Sequence, residues 1–309
     1  MNYCPKQYRD SLRKQLPYTI DLVIPGCEKS CPKGQAETYA PKVIESEEWY
    51  HYFIDRIVEA INKKKFFPVC RIADGELILM FGEVLYDVRD NLMTRLRNSL
   101  SYMKRSILKK DYVAYTGNLY HSGQYSLNEI SEIRDELKHS LVSIFNKGMV
   151  GCTTFSTHAP FTEKYFPIFA NFLETNNIKL SLENYFPVYY LYIALIGKRS
   201  KEIIQNRRLL IINGFSEQKF SNIKSSLLNT GALSVDWIKI SENRSYYDKI
   251  NADQYINKVD LVLVGAGVAK AKIFQQLENL SVPCLDAGYI FEVWNDPSKG
   301  KLRPFCSLD

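Results

Sequence analysis

Long apolar runs are missing from this chain: nothing in its 309 residues approaches the roughly 20 apolar residues that cross a bilayer. The opening Met1-Asn2-Tyr3-Cys4-Pro5-Lys6 has no apolar core behind its charge, so a secretory signal is not expected. The cytoplasm, including the inner face of a membrane, is the expected compartment. An excess of one charge is missing too. The 40 Lys+Arg against 34 Asp+Glu leave a net charge of +6, and the basic residues fall in short runs such as Lys63-Lys64-Lys65, Lys198-Arg199 and Arg207-Arg208. Cations at helix ends answer the helix dipole. Without zinc-finger spacing or a basic region joined to heptads, nucleic acid is not an expected partner. A mild positive balance suits phosphate-bearing ligands or peripheral contact with a membrane. Histidine is scarce, with 4 in the chain, and no Gly-x-Ser-x-Gly, Walker loop or His-Glu-x-x-His pattern occurs. His121 and His158 read as surface or structural residues of polar loops, and His51 and His139 as ordinary helix residues. Of the 7 cysteines, Cys70, Cys152 and Cys284 sit in apolar surroundings and read as core residues. Cys27 and Cys31, even with Cys4, fall short of the four ligands of a zinc site and read as free thiols. There is no internal repeat and no low-complexity tract.

What is present is an alternation. Apolar residues make up 46% of the chain and charged residues 24%, the balance of a globular protein. Residues 1–45 carry Pro5, Pro17, Pro25, Pro32 and Pro41 with little periodicity and read as an irregular arm wrapped on a body formed by residues 46–309. Ser46-Glu47-Glu48-Trp49 opens a helix, with serine as the expected N-cap, and apolar residues recur at helical spacing to Ile61. Phe66–Ile72 reads as a buried strand. Helices are expected over 89–109 and 127–146, and strands at 112–115, which runs into Gly117-Asn118, and at 149–152. The second half is clearer. Strands at 208–212, 235–240, 261–264 and 282–285 alternate with helices at 217–229, 245–257 and 268–279. The implied architecture is α/β: a Rossmann-like, mostly parallel sheet with helices on both faces. Ligands of such sheets sit at the carboxyl ends of the strands.

Candidate chemistry falls at those ends. Arg71-Ile72-Ala73-Asp74-Gly75-Glu76 follows the first buried strand. On an extended backbone Asp74 and Glu76 would point to one side, as a pair for magnesium or manganese. Gly75 would let the backbone approach a ligand, and Arg71 offers a fork to a phosphate or an acid. The other reading is a helix start, with Asp74 as N-cap and Glu76 in the first turn; the residues alone leave both open. Gly265-Ala266-Gly267 also follows a strand, but Lys270 stands where a dinucleotide fingerprint needs its third glycine. A nicotinamide enzyme is therefore not expected, although the turn could hold a phosphate. The aromatic run Tyr185-Phe186-Pro187-Val188-Tyr189-Tyr190 suits either sugar stacking or a tyrosine-rich core.

Val69–Leu77 resembles the signature of the GT-D type glycosyltransferases, once catalogued as a domain of unknown function, in which an Asp-x-Glu motif follows a strand. Leu209–Gly214, Ile238–Tyr246, Leu261–Gly267 and Asp286–Ile290 resemble that family's later strand ends, in its order. The resemblance implies transfer of a sugar from a nucleoside diphosphate sugar, expected to be a UDP-sugar, to a glycan or lipid-linked acceptor in polysaccharide biosynthesis. It implies Mn2+ or Mg2+ at Asp74 and Glu76, with Arg71 supporting them. Gly75, Gly214, Asn243, Gly265, Gly267, Asp286 and Gly288 would line the nucleotide. Three departures stand out: Ala73 replaces a glycine, and Tyr289 and Phe291 replace the family's usual His and Asp. Glu292 is the candidate substitute if those groups serve the acceptor. The alternative is an α/β protein that binds a nucleotide without transferring sugar.

Overall fold

The computed structural model describes residues 12–23, 37–81, 127–152 and 162–302, together with Asp10, Met93, Leu96 and Leu100. The strand expected at 112–115, Gly117-Asn118, the loop 153–160 with His158, His121, and Cys4, Cys27 and Cys31 lie outside these residues. So does the helix expected over 89–109, apart from Met93, Leu96 and Leu100, which are helical.

Nine strands are described. β1 (Tyr18–Asp21) and β2 (Glu37–Ala40) form an antiparallel pair within the arm. Pro17 precedes β1 and Pro41 follows β2, so both stand at the same end of the pair, outside the ladder. Leu12, Leu16, Leu22 and Ile44 are buried in the common core, so the arm is packed into the body. The other seven strands are β3 (Phe67–Ile72), β4 (Met149–Cys152), β5 (Tyr185–Phe186), β6 (Arg208–Asn213), β7 (Ser234–Lys239), β8 (Leu261–Gly265) and β9 (Pro283–Asp286). They make one sheet in the order β5-β4-β3-β9-β8-β6-β7, and every pairing in it is parallel. Leu209–Ile212 and Leu261–Val264 are fully or almost fully buried, which is why these strands are unbroken apolar runs rather than alternating ones.

Helices cover both faces. On one lie α1 (Ser46–Asn62), α5 (Tyr190–Ile196), α6 (Ser200–Ile204), α7 (Glu217–Asn229) and α9 (Ile290–Asn295). On the other lie α2 (Asp74–Phe81), α3 (Leu127–Lys147), α4 (Thr162–Thr175) and α8 (Lys270–Gln276). His51 and His139 fall on α1 and α3. Ser46 is not a cap: Glu45 holds that position, and the Ser46 hydroxyl bonds the Val23 carbonyl at 2.6 Å and lies 2.9 Å from the Tyr190 hydroxyl. The aromatic run is core. Tyr185, Phe186 and Tyr190 are fully buried, with Trp49 edge-on to both tyrosines and Phe186 stacked on Phe53.

Two expected helices differ. Residues 245–257 form two 3-10 turns, Ser245–Tyr247 and Asp253–Tyr255, because side chains hold the backbone between them. Asp248 accepts from the Ser241 amide and hydroxyl at 2.5 and 2.7 Å, and the Ile250 amide donates to Gln276 at 2.8 Å. Residues 268–279 divide into a 3-10 turn at Gly267–Ala269, α8, and a second turn at Glu278–Leu280. Connections from β6 and β8 leave in opposite directions, toward β7 and β9. This divergence opens a crevice at their carboxyl ends.

Candidate active site

The crevice is a cleft of about 310 Å³, at the low end of the range for small-molecule sites. Gly214, Gly265, Gly267 and Gly288 line it, with Phe215, Lys219, Ser241, Glu242, Ser245, Tyr289 and Glu292 among its walls. These glycines are there for close approach. A Cβ on Gly214 would stand 2.8 Å from the Glu242 Cα, and one on Gly265 would stand 2.6 Å from the Phe291 ring. Gly267 and Gly288 have φ of 52° and 43°, which other residues resist. Asn213, fully buried beside Gly265, fixes the turn after β6. Its side-chain Oδ1 accepts from the Phe215 amide at 3.2 Å and from the Trp237 indole at 3.0 Å.

Lys219, in the first turn of α7, reaches across to Glu292 in the first turn of α9 at 2.9 Å. Asp248 ties Ser241 down and so fixes the opposite wall. The two departures from the expected closing segment take clear positions. Phe291 is fully buried beneath Gly265 and edge-on to Phe215, and the Tyr289 hydroxyl donates to the Lys299 carbonyl at 3.1 Å. Neither residue offers an acid or base to the cleft; Glu292 does.

Arg71, Glu76 and Asp286 meet elsewhere, between the carboxyl ends of β3 and β9. Residues 74–81 are helical, so the extended-backbone argument for Asp74 and Glu76 does not apply. Glu76 accepts from the Ala73 amide at 3.0 Å, which is half of a capping box. Its other oxygen lies 2.5 Å from Lys270 Nζ. Lys270 also pairs with Asp286 at 2.9 Å, and Asp286 in turn accepts from the Arg71 guanidinium at 2.9 Å and the Arg71 amide at 3.2 Å. The Arg71 guanidinium lies 4.0 Å from the centre of the Tyr192 ring. Burial works against the charge of Asp286, yet Arg71 and then Lys270 outweigh it and hold its pKa below the ordinary value. Burial likewise opposes the charge on Lys270, and Asp286 and Glu76 together push its pKa up. The neighbouring Cys70 thiol is raised by burial and is inert.

The structure thus divides the expected residues into two groups. Gly214, Gly265, Gly267 and Gly288 line the cleft; Arg71, Glu76 and Asp286 belong to the buried charge cluster, and Gly75 lies in the first turn of α2. Asn243 is exposed and is not on the cleft wall, although Ser241, Glu242 and Ser245 around it are. The side chain of Asp74 is outside the described residues. Lys270 carries no obvious motif; its signal was a lone cation between Ala269 and Ala271 just after a buried strand. A divalent ion centred on Glu76 would have to displace the Lys270 ammonium, and no three His, Cys, Asp or Glu among the described residues group as metal ligands. These residues do not fit a metal at Glu76.

Fold and site together define an α/β protein whose candidate site lies at the carboxyl edge of a parallel sheet. No family model matches the chain, and no curated protein matches it. Among solved structures it is similar to a selenomethionine-substituted domain of unknown function 1792, at TM-score 0.48 and 18% identity over 82% of this chain and 84% of that one. It is also similar to a protein described as a new glycosyltransferase from Streptococcus sanguinis, at TM-score 0.46 and 16% identity over 80% of this chain and 84% of that one. Likeness of this degree leaves the activity to be argued from the chain's own residues. No helix among the described residues is long and apolar enough to cross a membrane.

Proposed function

We propose that this protein transfers a sugar from a nucleoside diphosphate sugar to a saccharide or lipid-linked acceptor. The observation that carries the reading is convergence. The segments at 69–77, 209–214, 238–246, 261–267 and 286–290, in which the GT-D resemblance resides, all fall at the carboxyl edge of one sheet. Four of them enclose the cleft. In this reading the donor diphosphate enters at Gly214, Gly265 and Gly267, where backbone can approach it closely. Lys219 turns from Glu292 to the phosphate oxygens and steadies the departing diphosphate. Glu292, released from its ion pair, faces the acceptor. The acceptor oxygen bonds to the anomeric carbon as the diphosphate oxygen leaves, and the acceptor proton passes to Glu292.

Calorimetry with a panel of nucleoside diphosphate sugars, UDP-sugars first, tests the donor. Nucleoside diphosphate release in the presence of glycan and lipid-linked acceptors then tests the transfer. One donor should bind, and acceptor should stimulate its turnover. Glu292→Gln should keep donor binding and lose transfer about 100-fold or more. Binding without turnover under every acceptor would favour the nucleotide-binding alternative, and no binding of any donor would end the proposal.

A further inference from the structure

The buried charges between β3 and β9 pair with one another, although the Arg71 Nε has no hydrogen-bond partner among the described residues. Arg71, Lys270, Glu76 and Asp286 are 6%, 5%, 6% and 2% exposed, and they comprise two cations and two anions. Lys270 is the bridge. Its Nζ stands 2.5 Å from Glu76 and 2.9 Å from Asp286, while the far oxygen of each carboxylate is taken by the Ala73 amide and by Arg71. The local chain delivers it there. The turn Gly267–Ala269, with φ of 52° at Gly267, redirects the backbone at the end of β8. Ala269 and Ala271, both buried, let α8 start close against the sheet. A cation between two carboxylates at the end of a strand is the arrangement expected of a divalent ion, but here the cation is covalently part of the protein. A second cation on the same oxygens would meet the ammonium at short range, with little solvent to screen it.

We propose that Lys270 is the resident cation of this site: its ammonium takes the place between Glu76 and Asp286 that a divalent metal would fill, so Glu76 binds lysine and is not a metal ligand. The proposal concerns the charge cluster behind Gly288, beside the cleft of the sugar-transfer reading, and stands apart from that reading. Its test needs no donor, so the failure of either shows in a different measurement.

Mn2+ is titrated into the full chain without nucleotide, and free Mn2+ is followed by electron paramagnetic resonance. Wild type and Glu76→Gln should bind Mn2+ equally. Lys270→Met leaves the two carboxylates facing each other, and should bind Mn2+ at least about tenfold more tightly than wild type. That gain should vanish in Lys270→Met/Glu76→Gln. A loss of wild-type Mn2+ binding on Glu76→Gln overturns the proposal, as does a folded Lys270→Met that gains no affinity. Should Lys270→Met fail to fold, the comparison of wild type with Glu76→Gln decides the question alone.

Discussion

Arg71 shows how tightly single residues are specified here. Its guanidinium bonds Asp286 on one side and faces the Tyr192 ring on another, and Gly288 leaves the space it occupies. A Cβ on Gly288 would stand 2.1 Å from the Arg71 terminal nitrogen. Gly288→Ala therefore meets two penalties, the left-handed φ of 43°, worth about 1–2 kcal/mol, and the displacement of a buried cation. Denaturant unfolding should show a loss larger than the backbone penalty alone; a loss within that range would mean Arg71 moves aside freely. Asp286→Asn removes one partner of a buried pair and should cost about 3–5 kcal/mol near neutral pH. The sign with pH follows from the lowered pKa of Asp286. Its contribution is present above the unfolded carboxylate value of about 3.9 and is lost as pH falls through the lower folded value. The stability gap between wild type and Asp286→Asn should therefore be flat above that value and narrow below it. A gap that widens in acid would contradict the assignment.

At the scale of elements, the cleft depends on how α9 meets β8. Gly265 ends β8 directly against Phe291, and Phe291 packs edge-on to Phe215 and Trp294. Gly265→Ala should push α9 away, cost about 1–3 kcal/mol as overpacking does, and weaken donor binding. Phe291→Leu, which shortens the ring, should recover part of that loss in the double variant. Unfolding and calorimetry on the two single variants and the double variant check this; strictly additive losses would show that the two residues are not coupled. Elements of this kind were legible to different degrees. β6 and β8 were plain because both faces are buried and their sequences are continuously apolar. The 245–257 segment misled because Tyr246 and Ile250 stand four residues apart, a spacing that imitates a helix, while its backbone bonds go to the Gln276 side chain and Asp248 is held to Ser241. The Asp-x-Glu string was correctly set at a strand end, but the capping signal in Ala73 and Glu76 governs its backbone. Lys270 was read as a missing glycine, since an ion pair spanning 194 residues leaves no local trace. Of the candidate site, the glycine-walled cleft was visible in sequence and the charge cluster was visible only in part.

At the scale of the whole molecule, β3 and β9 join two groups of strands, β3-β4-β5 and β6-β7-β8-β9, at a short seam. The register pairs Phe67 with Pro283, Pro68 with Cys284 and Val69 with Leu285. That is three paired positions, against four between β3 and β4 and five between β6 and β8. Beyond Val69 side chains replace the ladder: the Arg71 amide donates to the Asp286 carboxylate, and Lys270 draws β9 to the start of α2. The charge cluster therefore fastens the seam as well as filling the candidate metal position. Hydrogen exchange distinguishes this from a general stabilising role. In Lys270→Met, amides of residues 69–72 and 284–286 should lose protection by about 100-fold, equivalent to about 3 kcal/mol of local opening, while those of 209–213 and 235–239 change little. An equal rise across all of these strands would mean that the sheet opens as one unit and that the cluster holds no seam.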